Sequence, residues 1–293
     1  MVRFIDAWTK ASVELGGPHT RRLIDPTAAS SALLLTIIRV LNRILDIDLD
    51  LFVHGTAYWC ESRGERLDPE DYPPWSLDAA LEFLTNRCGL DGPLPGFAVE
   101  HHGELFARWR TAIEARLLVP PFHVTHADAH ADLGLGDAGY MYLMSELLYK
   151  PPAERRHPDG GTLGADYSVG DGNYLAFAAA CRWISDLVYV FNDGGDDVLA
   201  YVMEDFNLDG SNLQLRGVPR ENLKDNLLTP QAMRPEVIEP LIPFRKTRWT
   251  EYHVGDQPFD FICLARSPGF TPAGCDQIFD EIRRRFVGDP TVD

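Results

Sequence analysis

The chain has 293 residues, with 44 Asp and Glu against 27 Lys and Arg, a formal net charge of −17. That surface repels nucleic acid and anionic membranes, excluding both as expected partners, and it suits cations. With 45% hydrophobic and 24% charged residues, the chain reads as one globular domain over residues 1–293 with a sizeable core.

Met1–Lys10 lacks a signal-peptide core. The longest apolar run, Ala32–Val40, is interrupted by Arg39 and is too short to span a bilayer. Alternating Leu45, Ile47, Leu49 and Leu51 predict a strand over Ile44–Phe52. Ser76 is placed to cap a helix running to Cys88, with Leu77, Leu81 and Leu84 on one face. Strands are expected at Phe97–Glu100, Phe122–His126, Leu187–Phe191 and Phe259–Ala265. Helices are expected at Glu104–Leu118, Asn173–Ser185 and Pro272–Phe286, the last with a basic final turn that suits its dipole. Residues 194–241, rich in Asp, Asn and Pro, read as a lid or an excursion at the sheet edge. The alternation predicts an α/β fold, a three-layer αβα sandwich with a mainly parallel sheet and ligands beyond the carboxyl ends of its strands. Five scattered cysteines without a CxxC pair indicate reduced thiols and a cytoplasmic setting.

Three motifs carry chemistry. In His126-Ala127-Asp128-Ala129-His130-Ala131-Asp132, ionisable residues alternate with alanines, so all four would share a face if the strand ran that far. Groups crowded in this way repel or desolvate one another unless a divalent cation compensates them. Asp46-Ile47-Asp48-Leu49-Asp50 repeats the pattern with carboxylates. By itself it fits a cation site, a solvated edge strand or a phosphatase nucleophile. Val99-Glu100-His101-His102-Gly103-Glu104 lies where a strand gives way to a helix, and either histidine could complete a metal shell. Pooled, the donors are too rich in oxygen for a structural zinc site and too rich in imidazole for magnesium or calcium. They suit two Mn2+ ions first, with Fe2+ or Co2+ behind.

Asp128-Ala129-His130-Ala131-Asp132 resembles the DAHxD motif of the arginase (ureohydrolase) superfamily. Asp46-Ile47-Asp48 is similar to its second aspartate pair, and Glu100-His101-His102 to the strand-end histidine of its more buried manganese site. More closely, the chain resembles the UPF0489 group. Its LDIDLD, VExHxE and HxDxHxD elements match Leu45–Asp50, Val99–Glu104 and His126–Asp132, with weaker likeness at Gly172–Leu175 and Ala265–Gly269. That group includes peptide arginases, which convert arginine to ornithine in ribosomally made precursor peptides and release urea. The resemblance implies that Asp128 and Asp46 bridge two ions, that His102 and Asp132 complete one, and that His130 and Asp48 complete the other. It sets Asp50 and His126 behind the ligands, and its register prefers His102 to His101. In arginases the DAHxD element precedes the aspartate pair, so this sheet must be wired differently or permuted. The arginase proton-moving histidine and substrate-gripping glutamate meet only Ser145 and Ala265-Arg266-Ser267 here.

Glu104, His157 and Asp171 are the candidate proton carriers or guanidinium acceptors, and Asn173 the candidate for holding substrate backbone. Each also reads as structural, Asn173 as a helix cap. Two rival functions stand beside the arginase one. In a haloacid-dehalogenase-like magnesium phosphatase, Asp46 would be the nucleophile, Asp48 the acid, and Asp196-Asp197 would help bind magnesium. The other rival is a metal-stabilised peptide-binding protein without catalysis.

Overall fold

The computed structural model describes residues 41–59, 65–134, 139–223 and 232–290. The expectations for Met1–Lys10, Ala32–Val40 and Cys60 lie outside the described residues, as does part of the 194–241 excursion. Ten strands follow in chain order: β1 (Leu41–Asp48), β2 (Leu94–Val99), β3 (Leu118–Ala127), β4 (Ile184–Phe191), β5 (Asn212–Leu213), β6 (Arg216–Gly217), β7 (Val237–Ile238), β8 (Ile242–Arg248), β9 (Phe261–Ala265) and β10 (Val287–Gly288). Eight form one sheet in the order β10-β2-β9-β1-β3-β4-β8-β5. Every neighbouring pair is parallel except β5 on β8. β6 and β7 make a separate antiparallel pair within the excursion.

The central strands are apolar on both faces because both faces are covered. In β1, Ile44 belongs to one core while Leu45 and Ile47 belong to the other. In β9, Phe261, Cys263 and Ala265 alternate in the same way with Ile262 and Leu264. This period of two is that of extended chain. Helices Glu104–Glu114, Gly139–Ser145 and Tyr174–Ala180 contribute to the first core, and helices Leu77–Glu82 and Asp276–Phe286 to the second. The result is a three-layer α/β sandwich. Helix Tyr174–Ala180 is buried at every position, as expected of a helix apolar all round.

Local chemistry sets the element ends. The Ser76 hydroxyl accepts the Ala79 amide at 3.2 Å and starts the Leu77–Glu82 helix; a wider, π-type turn, Phe83–Arg87, finishes it. The strand expected over Ile44–Phe52 is corrected: β1 stops at Asp48 and the chain tightens into a 3-10 turn, Leu49–Phe52. β8 is a strand that its charged sequence, Ile-Pro-Phe-Arg-Lys-Thr-Arg, conceals. No helix among the described residues is long and apolar enough to cross a membrane.

Candidate metal centre

The carboxyl ends of five adjacent strands lie side by side. Asp46 is in register with His126 of β3 and Cys263 of β9, Asp48 and Val99 both with Ala265, and Ala127 with Val190 of β4. The segments leaving these ends carry His102, Ser267, Asp50, Asp128–Asp132 and Asn192. Three far-apart motifs of the sequence therefore meet in space.

The alternation in each motif is bent to do this. The Asp48 carboxylate accepts the Asp50 amide at 3.1 Å, which turns the chain out of β1 and sends Asp50 across to the β3 side. There Asp50 Oδ1 accepts the Ala129 amide at 3.1 Å, and Oδ2 lies 2.9 Å from His130 Nδ1. β3 ends at Ala127, so His126, Asp128, His130 and Asp132 do not share one strand face; they converge through a loop. Asp132 reaches its place with a left-handed backbone, φ 49°, and Ser267 with φ 43°. For residues other than glycine this costs on the order of 1–3 kcal/mol, and such strain gathers at functional sites.

The inner group surrounds His102, whose side chain is 1% exposed. Its Nδ1 lies 3.0 Å from Asp48 Oδ2, 3.1 Å from Asp128 Oδ2 and 3.0 Å from Asp132 Oδ2. Neither His102 Nδ1 nor Asp132 Oδ2 makes a hydrogen bond among the described residues, although both are buried. Buried polar atoms are seldom left so. A six-coordinate ion with bonds of about 2.1 Å sets adjacent donor atoms about 3.0 Å apart, and these four atoms fit that spacing around Nδ1. The other face of His102 is held from behind. Tyr174 donates its hydroxyl to Asp46 Oδ2; Asp46 Oδ1 and the Tyr174 oxygen then face His102 Nε2 at 3.2 and 3.0 Å. Both are acceptors there, which keeps a proton on Nε2; against its burial, the neighbouring Tyr174, Asp46 and Asp48 push the His102 pKa well up, so Nδ1 carries a second proton that a cation would displace.

The outer group is Asp50, Asp128 and His130. The His130 side chain is 17% exposed. Its Nε2 meets the Ala57 carbonyl at 3.1 Å, which sets the proton there and turns Nδ1 toward Asp50 and Asp128. Asp128 links the groups: Oδ2 belongs to the inner one, while Oδ1, which accepts the His130 amide at 2.7 Å, lies toward the outer one. His126 stands behind both, with Nε2 on the His130 carbonyl at 3.0 Å and Nδ1 3.0 Å from Asp46 Oδ2. Ser267 donates its hydroxyl to Asp48 Oδ2.

Protonation follows from this crowding. Burial alone would lower the histidine pKa values, but the surrounding carboxylates outweigh it. His126 is pushed up to about 9, chiefly by Asp128 and Asp46, and His130 to about 12 by Asp128 and Asp50. Burial, then repulsion from Asp128, raises Asp132 to about 7 and Asp50 well above the carboxylate range. Against its own burial, Asp128 is held well below that range by His126, His102 and His130. Protons here offset the crowding that a bound divalent cation would offset. The buried Asp and His groups can hold a metal ion.

Of the predicted ligands, Asp48, His102, Asp128, His130 and Asp132 line this convergence, with Asp50 added. Asp46 lies one pleat deeper, fully buried, with its oxygens on His102, His126 and Tyr174; with His102 and His126 it forms a further group that could hold an ion. His101 is exposed. Of the other candidates, Asp171 lines the adjoining pocket, where its Oδ1 accepts the Gly103 amide at 2.8 Å. Glu104 is exposed and accepts the His101 amide at 3.1 Å, closing the turn into its helix. His157 is exposed on a loop and is not among the residues lining that pocket. Asn173 is fully buried, bonded to the Gly170 amide and Ser168 carbonyl, and is a brace for its own loop.

The pocket, about 320 Å³, opens onto both groups. Tyr58, Trp59 and Phe270 flank it, and Asp171 and Asp197 add carboxylates. The His130 ring is held edge-on between Tyr58 and Phe270, with centroids 5.8 and 5.3 Å away. Tyr174, Asp197 and the Tyr58-Trp59 pair are site residues that sequence reasoning did not assign to this centre. Tyr174 has a cue in the Gly172–Leu175 stretch, and Asp197 has one in the Asp196-Asp197 pair, which belongs to the rival phosphatase reading; Tyr58 and Trp59 have none. No family model, curated protein or solved structure matches the chain.

Proposed function

We propose that this chain is a manganese-dependent hydrolase of the arginase type, which converts arginine side chains of a peptide to ornithine with release of urea. The observation that carries the proposal is His102 Nδ1, ringed by three carboxylate oxygens at 3.0–3.1 Å without a hydrogen bond and joined through Asp128 to a second group at His130. Asp48, His102, Asp128 and Asp132 would hold one ion; Asp50, Asp128 and His130 would hold the other. Asp46 serves as the carboxylate behind His102. Bound ions supply a water acidified to near-neutral pKa and polarise the bond to be cut.

The chain's own residues supply the rest. Asp46 and Tyr174 fix the His102 tautomer, and the Ala57 carbonyl fixes that of His130. The four carboxylates of Asp48, Asp50, Asp128 and Asp132 balance the charge of two divalent ions, so Asp171 and Asp197 remain to match a cationic guest. Each has Oδ1 tied to a backbone amide, of Gly103 and Ala131 respectively, and the Asp171 Oδ2 lies 3.7 Å from the exposed His101 Nδ1; both carboxylates line the pocket and would accept guanidinium N–H groups there. Tyr58, Trp59 and Phe270 offer ring faces to the same charge, worth about 0.5–1 kcal/mol at an exposed site. Trp59 is 77% exposed, so the binding surface continues beyond the pocket and suits a peptide better than free arginine. Cys88, Cys181, Cys263 and Cys275 are unpaired and buried, which fits a reducing cytoplasm.

A phosphatase with Asp46 as nucleophile is disfavoured, because Asp46 is 0% exposed and both its oxygens are engaged. The test is to load the protein with Mn2+ and offer arginine-containing peptides, free arginine and a phosphomonoester. Urea, with loss of one CN₂H₂ unit from the peptide, supports the proposal. Phosphate release supports the rival enzyme, and tight manganese binding with neither product supports a binding protein.

A further inference from the structure

We infer that Asn192, outside both ligand groups, is a positioning residue that holds the His130 half of the cation centre in its working geometry. The inference rests on the metal-site reading above. Asn192 follows β4 directly and is 1% exposed. Its amide uses its full hydrogen-bonding capacity. Nδ2 donates to the carbonyls of Val53 and Gly55 at 3.4 and 3.2 Å, while Oδ1 accepts the Thr56 hydroxyl at 3.0 Å and the Gly194 amide at 2.8 Å. Three of these four bonds run to one short segment, Val53–Thr56. The next residue, Ala57, presents its carbonyl to His130 Nε2, and the two after it are the aromatic wall, Tyr58 and Trp59.

The segment is also clamped sterically. A Cβ on Gly194 would lie 1.7 Å from Thr56 Oγ1, so the β4 loop and this segment are in close contact. The chain of cause runs from the β4 end through Asn192 to the Ala57 carbonyl, then to the His130 ring and its Nδ1. A carbonyl that fixes the far nitrogen of a ligand histidine sets both its tautomer and its ring angle, and loss of such a support costs roughly 10–100-fold in metal affinity. The inner group has its own support in Asp46 and Tyr174, neither of which touches this segment among the bonds described. Asn192 therefore acts on one half of the centre.

The test compares wild type with Asn192→Asp and, as a milder change, Thr56→Val. Asp keeps the shape and the acceptor oxygen but loses the two N–H donors and sets a charge against the Val53 and Gly55 carbonyls. Manganese titration by calorimetry, metal analysis and low-temperature electron paramagnetic resonance are read together. In Asn192→Asp the weaker Mn2+ site should lose about 10–100-fold in affinity, with the tighter site unchanged and the signal of a coupled ion pair replaced by that of an isolated ion. Thr56→Val should move the same way by less. A fall in melting temperature with both sites intact would overturn the inference and leave Asn192 a structural residue; equal weakening of both sites would also overturn it. If Asn192→Asp does not fold, Thr56→Val decides by the same readouts. A wild type that binds no manganese sinks the metal-site reading itself, a separate outcome.

Discussion

The two halves of the centre use the same residue types on different foundations. The inner half, around His102, is walled by three strand ends and a buried helix, and its backing residues Asp46 and Tyr174 are themselves buried. The outer half, around His130, depends on a loop carbonyl, two aromatic edges and the pocket mouth. Burial makes the inner donors costly to leave without a cation, whereas solvent can satisfy part of the outer set. The inner site should therefore be the tighter one and the outer site the exchangeable one.

The largest test of that contrast is the residue both halves share. Asp128→Ala should remove both ions and lower urea release by more than about a thousandfold; metal analysis showing two ions retained would end the two-site scheme. Next come the halves taken singly. His102→Ala strands Asp48, Asp128 and Asp132 without their central partner and should destabilise the protein by roughly 3–5 kcal/mol, whereas His130→Ala should fold normally and keep one ion per chain. The contrast fails if His130→Ala is the less stable of the two in chemical denaturation.

A pH series is a finer probe. His126 rises to about 9 from an ordinary 6.5, and Asp132 to about 7 from 3.8. Both folded values exceed the unfolded ones. Each group's contribution is therefore complete below its unfolded pKa and is lost as pH climbs, over roughly pH 4–7 for Asp132 and roughly pH 6.5–9 for His126. The cation-free protein should melt at lower temperature as pH rises through that range. Manganese competes with the same protons, so its affinity should rise with pH. A cation-free melting temperature that climbs from pH 5 to 9 contradicts this account. The smallest effect belongs to the pocket rim: Trp59→Ala should raise KM for an arginine peptide about two- to fivefold, from the loss of one exposed cation–π contact, with kcat unchanged.

The layers and the meeting of three motifs were legible in the sequence because strand periodicity is local and ionisable residues at strand ends are conspicuous. The partition of roles was not. Asp46, Asp48 and Asp50 look equivalent along the chain. Their places differ because Asp48 captures the Asp50 amide, which ends the strand, so Asp50 reaches His130 while Asp46 stays deep in the sheet. Tyr174 hid inside a helix that reads as pure core, and its hydroxyl found Asp46 only through tertiary packing 128 residues away. Asn192 acts by holding distant backbone carbonyls with its side-chain amide, and Ala57 acts through its own carbonyl; sequence identity scarcely records either contact. Asn173 reads as a site residue or a helix cap because it opens a helix near the motifs; in the fold its side-chain amide binds the Gly170 amide and the Ser168 carbonyl of its own loop.

One feature of the sheet bears on when the centre can come into being. β2, which leads into His102, joins the sheet through β9, and β9 lies between β2 and β1. A ribosome must therefore synthesise the chain through Ala265 before His102 can stand beside Asp48 and Asp128, although all three residues emerge much earlier. Under the proposed metal-site reading, ion capture would follow synthesis of the chain through Ala265, and protein made without a cation could take one up later.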